Sequence, residues 1–115
     1  MAQNGERLEA LKIAYITKRL DLSPEEAQKF WPIYNQYAEE LKQTRKEAMR
    51  NNKSEIELDE SLLNIRKKYS VLFAQAISPQ KIDTFFKSEK EFGAFVQKEM
   101  ERRQLKTQRR LQETP

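Results

Sequence analysis

The side chains here that could do chemistry are lysines, arginines and carboxylates, because the 115-residue chain contains neither histidine nor cysteine. That excludes zinc sites built on imidazole and thiolate, cysteine nucleophiles and disulfides. It also excludes the imidazole base that activates a serine, and the Glu-x-x-His pairs of di-iron helical bundles. An all-carboxylate metal site or a lysine-based mechanism stays chemically open, but no motif points to either. The reading is therefore of a protein that is not an enzyme, holds no metal or cofactor, and acts through a binding surface. Basic residues gather at Lys42, Arg45, Lys46, Arg50 and Lys53, again at Arg66, Lys67 and Lys68, and from Arg102 to Arg110. Glu39, Glu40, Glu47, Glu99 and Glu101 balance many of them, as on a solvated helix face. The candidate partner contacts are Arg66, Lys67 and Lys68 with Arg102 and Arg103, which would attract acidic segments in a salt-sensitive way. Phe95 joins them because it lies beside the stripe of Phe92 and Val96, as an exposed contact or an interface residue. Phe30, Trp31, Tyr34 and Tyr37 could also meet a partner, but their helical period reads first as core.

Long helices must carry these residues. Hydrophobic residues make up 37% and charged residues 35%, which suits helices with one apolar stripe and a charged opposite face. Only two glycines, Gly5 and Gly93, and four prolines punctuate the chain, too few for a many-turned β architecture. The first helix is expected from Glu6 to Leu20, on Leu8, Leu11, Ala14 and Tyr15, with Ile13, Ile16 and Leu20 widening the stripe. Asp21-Leu22-Ser23 breaks it. Ser23-Pro24-Glu25-Glu26 then starts a second helix: Ser23 caps the free amides, Pro24 fits the first helical position and Glu26 completes a capping box. Ala27, Phe30, Trp31, Tyr34, Tyr37, Ala38, Leu41 and Ala48 keep its period, and Pro32 predicts a kink or a local adjustment. A turn is expected over residues 50–54. The third helix, 55–76, opens on a possible second box at Ser54 and Glu57 or on a later cap at Asp59. It uses Leu58, Leu62, Ile65, Tyr69, Leu72, Phe73 and Ala76. The fourth starts at Ser78-Pro79 and holds Ile82, Phe85, Phe86, Phe92, Val96 and Met100.

The two proline-led starts lie 55 residues apart, and their surroundings match. Leu22-Ser23-Pro24 pairs with Ile77-Ser78-Pro79, Ala27 with Ile82, Phe30 with Phe85 and Trp31 with Phe86. Farther on, Tyr37 falls on Phe92, Ala38 on Gly93 and Leu41 on Val96. The chain reads as two helical hairpin units that share one start motif.

That motif, a hydrophobic residue, Ser or Thr, two variable positions and Gln, resembles the Leu-Thr-x-x-Gln signature found twice in the Spy/CpxP family of bacterial periplasmic stress proteins. The copies here are Leu22-Ser23-Pro24-Glu25-Glu26 and Ile77-Ser78-Pro79-Gln80-Lys81. The stretch from Leu22 to Tyr37, with Phe30-Trp31-Pro32 and Tyr34-Asn35, also resembles small exported helical proteins of the Bacteroidetes, some of them sensors of extracytoplasmic sigma factors. The departures are chemical: Glu26 can still accept the cap amide, whereas Lys81 cannot accept at all. The resemblance implies an elongated, antiparallel homodimer that binds unfolded clients on a surface mixing basic and apolar side chains, without ATP.

The expected organisation is a processed N-terminal remnant at 1–5, a four-helix all-α domain at 6–100, and a basic extension or tail at 101–115. The expected function is that of a periplasmic chaperone-like or envelope-stress protein acting on unfolded clients. The alternative is a regulatory sensor of a sigma-factor pathway that acts through one protein partner. The net charge of +4 selects no class of partner. Nucleic acid is not expected, because the helices are long for a helix-turn-helix and their charges are mixed. A coiled-coil adaptor fits poorly, because the stripes shift phase at Pro32 and Gly93. No run approaches the apolar length of a membrane span.

Overall fold

The computed structural model describes residues 3–113, with side chains from Gly5 onward. It consists of four helices, α1 (Gln3–Leu20), α2 (Pro24–Arg50), α3 (Glu55–Phe73) and α4 (Pro79–Glu113), with no strand among the described residues. The all-α expectation holds. Of the expected remnant at 1–5, Met1 and Ala2 lie outside the described residues, and the backbone is helical from Gln3. Of the segment at 101–115, Thr114 and Pro115 lie outside them, and the rest continues α4.

Local chemistry sets the helix ends. The Ser23 hydroxyl accepts from the Glu26 amide at 3.1 Å, and the Glu26 carboxylate accepts from the Ser23 amide at 2.9 Å. Two amides that a helix start leaves open are thereby satisfied. α2 runs through Pro32 as one helix. It ends in a left-handed turn: Asn52 has φ of 50°, its amide donates to the Met49 carbonyl at 3.3 Å, and the Lys53 amide donates to the Ala48 carbonyl at 2.9 Å. This is the Schellman closure, with asparagine in the place glycine usually takes. α3 starts at Glu55, with the Ser54 hydroxyl accepting from the Glu57 amide at 3.1 Å. It stops at Phe73, three residues before Ala76. There the amides of Gln75 and Ala76 each reach back only three residues, and this tightening precedes the Ser78-Pro79 start.

Packing divides the chain into two units. One spans Leu22–Ile82 and holds α2, α3 and the first turn of α4. Its core is aromatic. Phe30 stacks on Phe73 with centroids 5.2 Å apart, and Tyr37 meets Tyr69 edge-on at 5.4 Å and Phe73 at 5.8 Å. Phe30, Tyr34, Tyr37 and Phe73 are fully buried, and Leu41, Leu62 and Ile65 extend the core beside them. Phe30, Tyr34 and Tyr37 thus pack inside, as their period predicted, while Trp31 is half-buried. Each offset or edge-on pair contributes about 0.5–1.5 kcal/mol beyond the area it buries.

The other unit joins α1 to α4 from Asp83 onward. Lys12 pairs with Glu89 at 2.9 Å, and Glu91 accepts from both Arg19 at 3.0 Å and the Tyr15 hydroxyl at 2.5 Å. The Tyr15 ring lies 6.0 Å from that of Phe92. Donation to Glu91 raises the Tyr15 phenol above its ordinary pKa. Ile16, Leu20 and Phe85 are buried in this unit.

Candidate functional site

α3 carries apolar residues on both sides. Its inner side buries Leu62, Ile65, Tyr69 and Phe73 against α2. On the outer side stand Ile56, 78% exposed, Leu63, 47%, and Val71, 68%. These fall at i, i+7 and i+15, close to whole numbers of helical turns, so they form one line along the helix. Lys67 lies on the same line between Leu63 and Val71, and Arg66 stands at its edge, both exposed. The outcome is a solvent-facing strip in which apolar side chains alternate with charged ones, the acidic Glu60 between Ile56 and Leu63 and the basic Lys67 between Leu63 and Val71. Sequence reading placed Arg66 and Lys67 among the candidates but passed over Ile56, Leu63 and Val71. The signal was there, in a second helical period offset from the first by half a turn.

Lys68 has a different role from its two neighbours. Its ammonium lies 3.2 Å from Glu40 on α2 and 5.4 Å from the centre of the Tyr69 ring. The buried Tyr69 hydroxyl donates to the same carboxylate. Burial, and then the Glu40 carboxylate, push the Tyr69 phenol up to about 12. In turn the Tyr69 hydroxyl, and then Lys68, hold Glu40 below the usual carboxylate range. Lys68 is therefore part of the bracing between α2 and α3.

The remaining candidates sit in the other unit, on α4. Phe95 is 57% exposed, with its ring 6.3 Å from that of Phe92. Arg102 pairs with Glu99 one turn back, and this contact lowers the Glu99 carboxyl. Arg103 is exposed, as is every residue from Glu101 to Glu113. Arg66, Lys67 and Lys68 thus share one unit, while Phe95, Arg102 and Arg103 share the other.

The two start motifs meet within the first unit. Glu26 Oε1, already holding the Ser23 amide, also accepts from Lys81 Nζ at 2.9 Å. Glu26 and Lys81 occupy equivalent positions of the two copies. The Ser23 amide, and then Lys81, hold the Glu26 carboxyl below its ordinary range. In the second copy the Lys81 amide donates to Ser78 Oγ at a longer 3.3 Å. The residue that cannot close its own capping box instead braces the box of the other copy.

Among the described residues no three carboxylates converge as a metal ion would require, and no helix is long and apolar enough to cross a membrane. No family model matches the chain, and no curated protein or solved structure matches it significantly.

Proposed function

We propose that this chain acts by binding and not by catalysis, capturing partly unfolded protein segments without ATP as a periplasmic chaperone or envelope-stress protein of the Spy/CpxP kind. In this reading two copies of the chain assemble as an antiparallel homodimer. The observation that carries the proposal is the outer strip of α3, where Ile56, Leu63 and Val71 stand in water beside Arg66 and Lys67. An unfolded segment offers what such a strip lacks: apolar side chains to cover it and, at acidic positions, partners for its cations. Covering an exposed Ile, Leu or Val fully contributes about 1.5–3 kcal/mol. Ordering a flexible segment offsets much of that, so each capture is weak and reversible. Phe95 with Arg102 and Arg103 repeats the combination on α4.

The test is aggregation of a chemically denatured model client, diluted with and without this protein in the absence of ATP. Suppression near stoichiometric ratio, weakening as salt rises, is the expected result. No suppression at several-fold excess would remove general chaperoning and leave the sensor acting on one protein partner.

A further inference from the structure

The far end of α4 carries a second feature, independent of the α3 strip. Arg102, Arg103, Lys106, Arg109 and Arg110 fall at i, i+1, i+4, i+7 and i+8, the spacing that lines one side of a helix. No acidic residue interrupts them between Arg102 and Arg110, and the whole stretch is exposed. Leu105, 58% exposed, flanks that row, and Phe95, 57% exposed, lies in line with it two turns earlier, whereas Met100 and Leu111, 59% and 71% exposed, point to the other side of the helix. From Phe95 to Leu111 the helix runs for about 24 Å.

We propose that this face of α4 binds an anionic phospholipid surface, lying along it without crossing. Four of its five cations are arginines, whose planar fork pairs with phosphate oxygens through two hydrogen bonds at once. A straight row of cations matches a plane of phosphates at many points together. A helix bearing basic and large apolar residues, with its apolar side chains entering the headgroup boundary, is the form that interfacial binding takes. An acidic polypeptide would supply the charge, but it would lose chain entropy on binding that a lipid plane does not lose. A nucleic acid would supply the phosphates but no layer to receive Phe95 and Leu105.

The experiment is co-sedimentation of the full chain with phosphatidylcholine vesicles, with and without phosphatidylglycerol, across a salt series. It is repeated for the variant Arg103→Gln, Lys106→Gln, Arg110→Gln, whose helix content is checked by circular dichroism. The expected result is binding that requires phosphatidylglycerol, fades with salt, and falls at least about tenfold in the variant. A second arm adds polyglutamate as competitor. Polyglutamate bound by a chain that ignores anionic vesicles would assign the face to acidic polypeptides and overturn the proposal. So would equal binding to both kinds of vesicle, binding to neither, or a folded variant that binds as well as the parent chain.

Discussion

The two copies of the repeat begin alike and end differently. Phe30 and Phe85 are both fully buried, and each touches the aromatic ring that follows it, Trp31 at 4.9 Å and Phe86 at 5.1 Å. Two turns on, Tyr37 is fully buried while its counterpart Phe92 is half-buried, and Leu41 is buried while Val96 is half-buried. Tyr34, a core ring, corresponds to Glu89, which pairs with Lys12 of α1. The difference lies in what each helix packs against. α2 lies along α3 and fills their interface with rings. α4 meets α1 partly through charges, and its last described residues, from Glu101 to Glu113, are all exposed. One pattern therefore supplies a buried framework in the first copy and an exposed, basic face in the second.

The largest effects are expected at the positions where the two copies agree. Phe30→Ala and Phe85→Ala should each cost about 3–5 kcal/mol, read by chemical denaturation, because both empty a fully buried site. Phe95→Ala should stay within about 0.5 kcal/mol, as a surface change. A small loss at Phe85 would mean that the copies differ from their first turn.

Alkali should act on the first copy through Tyr69. Its pKa is raised from an ordinary 10 to about 12, so its contribution to stability is intact below the lower value. That contribution is lost as pH climbs toward the upper one, and thermal unfolding across this range should show the decline. In Tyr69→Phe the decline should shrink, at a cost near neutral pH of about 1 kcal/mol for the lost hydrogen bond to Glu40. An unchanged alkaline profile would remove Tyr69 from the bracing.

The starts themselves give a smaller contrast. Ser23→Ala removes one half of a closed capping box and should lower stability by about 1 kcal/mol, while Ser78→Ala, losing a bond of 3.3 Å, should cost less. Equal losses would mean that the two caps are equivalent. The smallest change is Lys81→Gln, which should raise the Glu26 carboxyl toward its ordinary pKa in an NMR titration. The stability linked to that lowered pKa is present at neutral pH and lost as acid protonates Glu26. The carboxyl should stay partly depressed even in the variant, because the Ser23 amide still donates to it.

Much of the framework was legible in the chain. The capping residues at Ser23 and Glu26 are local chemistry, and the ring positions of α2 follow a single helical period, so no distant information was needed. The attachment of α1 to α4 was not legible, since Arg19 and Glu91 are 72 residues apart and nothing in their spacing joins them. Lys81 read only as a defect in a motif, because its partner Glu26 was already assigned to a cap. The outer strip of α3 was missed for a related reason. With Leu62, Ile65 and Tyr69 satisfying one stripe, Ile56, Leu63 and Val71 had no period left to explain, and only the packing against α2 shows which set stays in water.

Client capture, as proposed, depends most on that outer strip, and one measurement addresses it directly. The variant Ile56→Ser, Leu63→Ser, Val71→Ser should keep the parent's helix content, because none of the three is buried. In the client aggregation assay without ATP, the parent chain should suppress aggregation and this variant should lose most of that suppression. A folded variant that protects the client as well as the parent would contradict the assignment of the α3 strip as the capture surface.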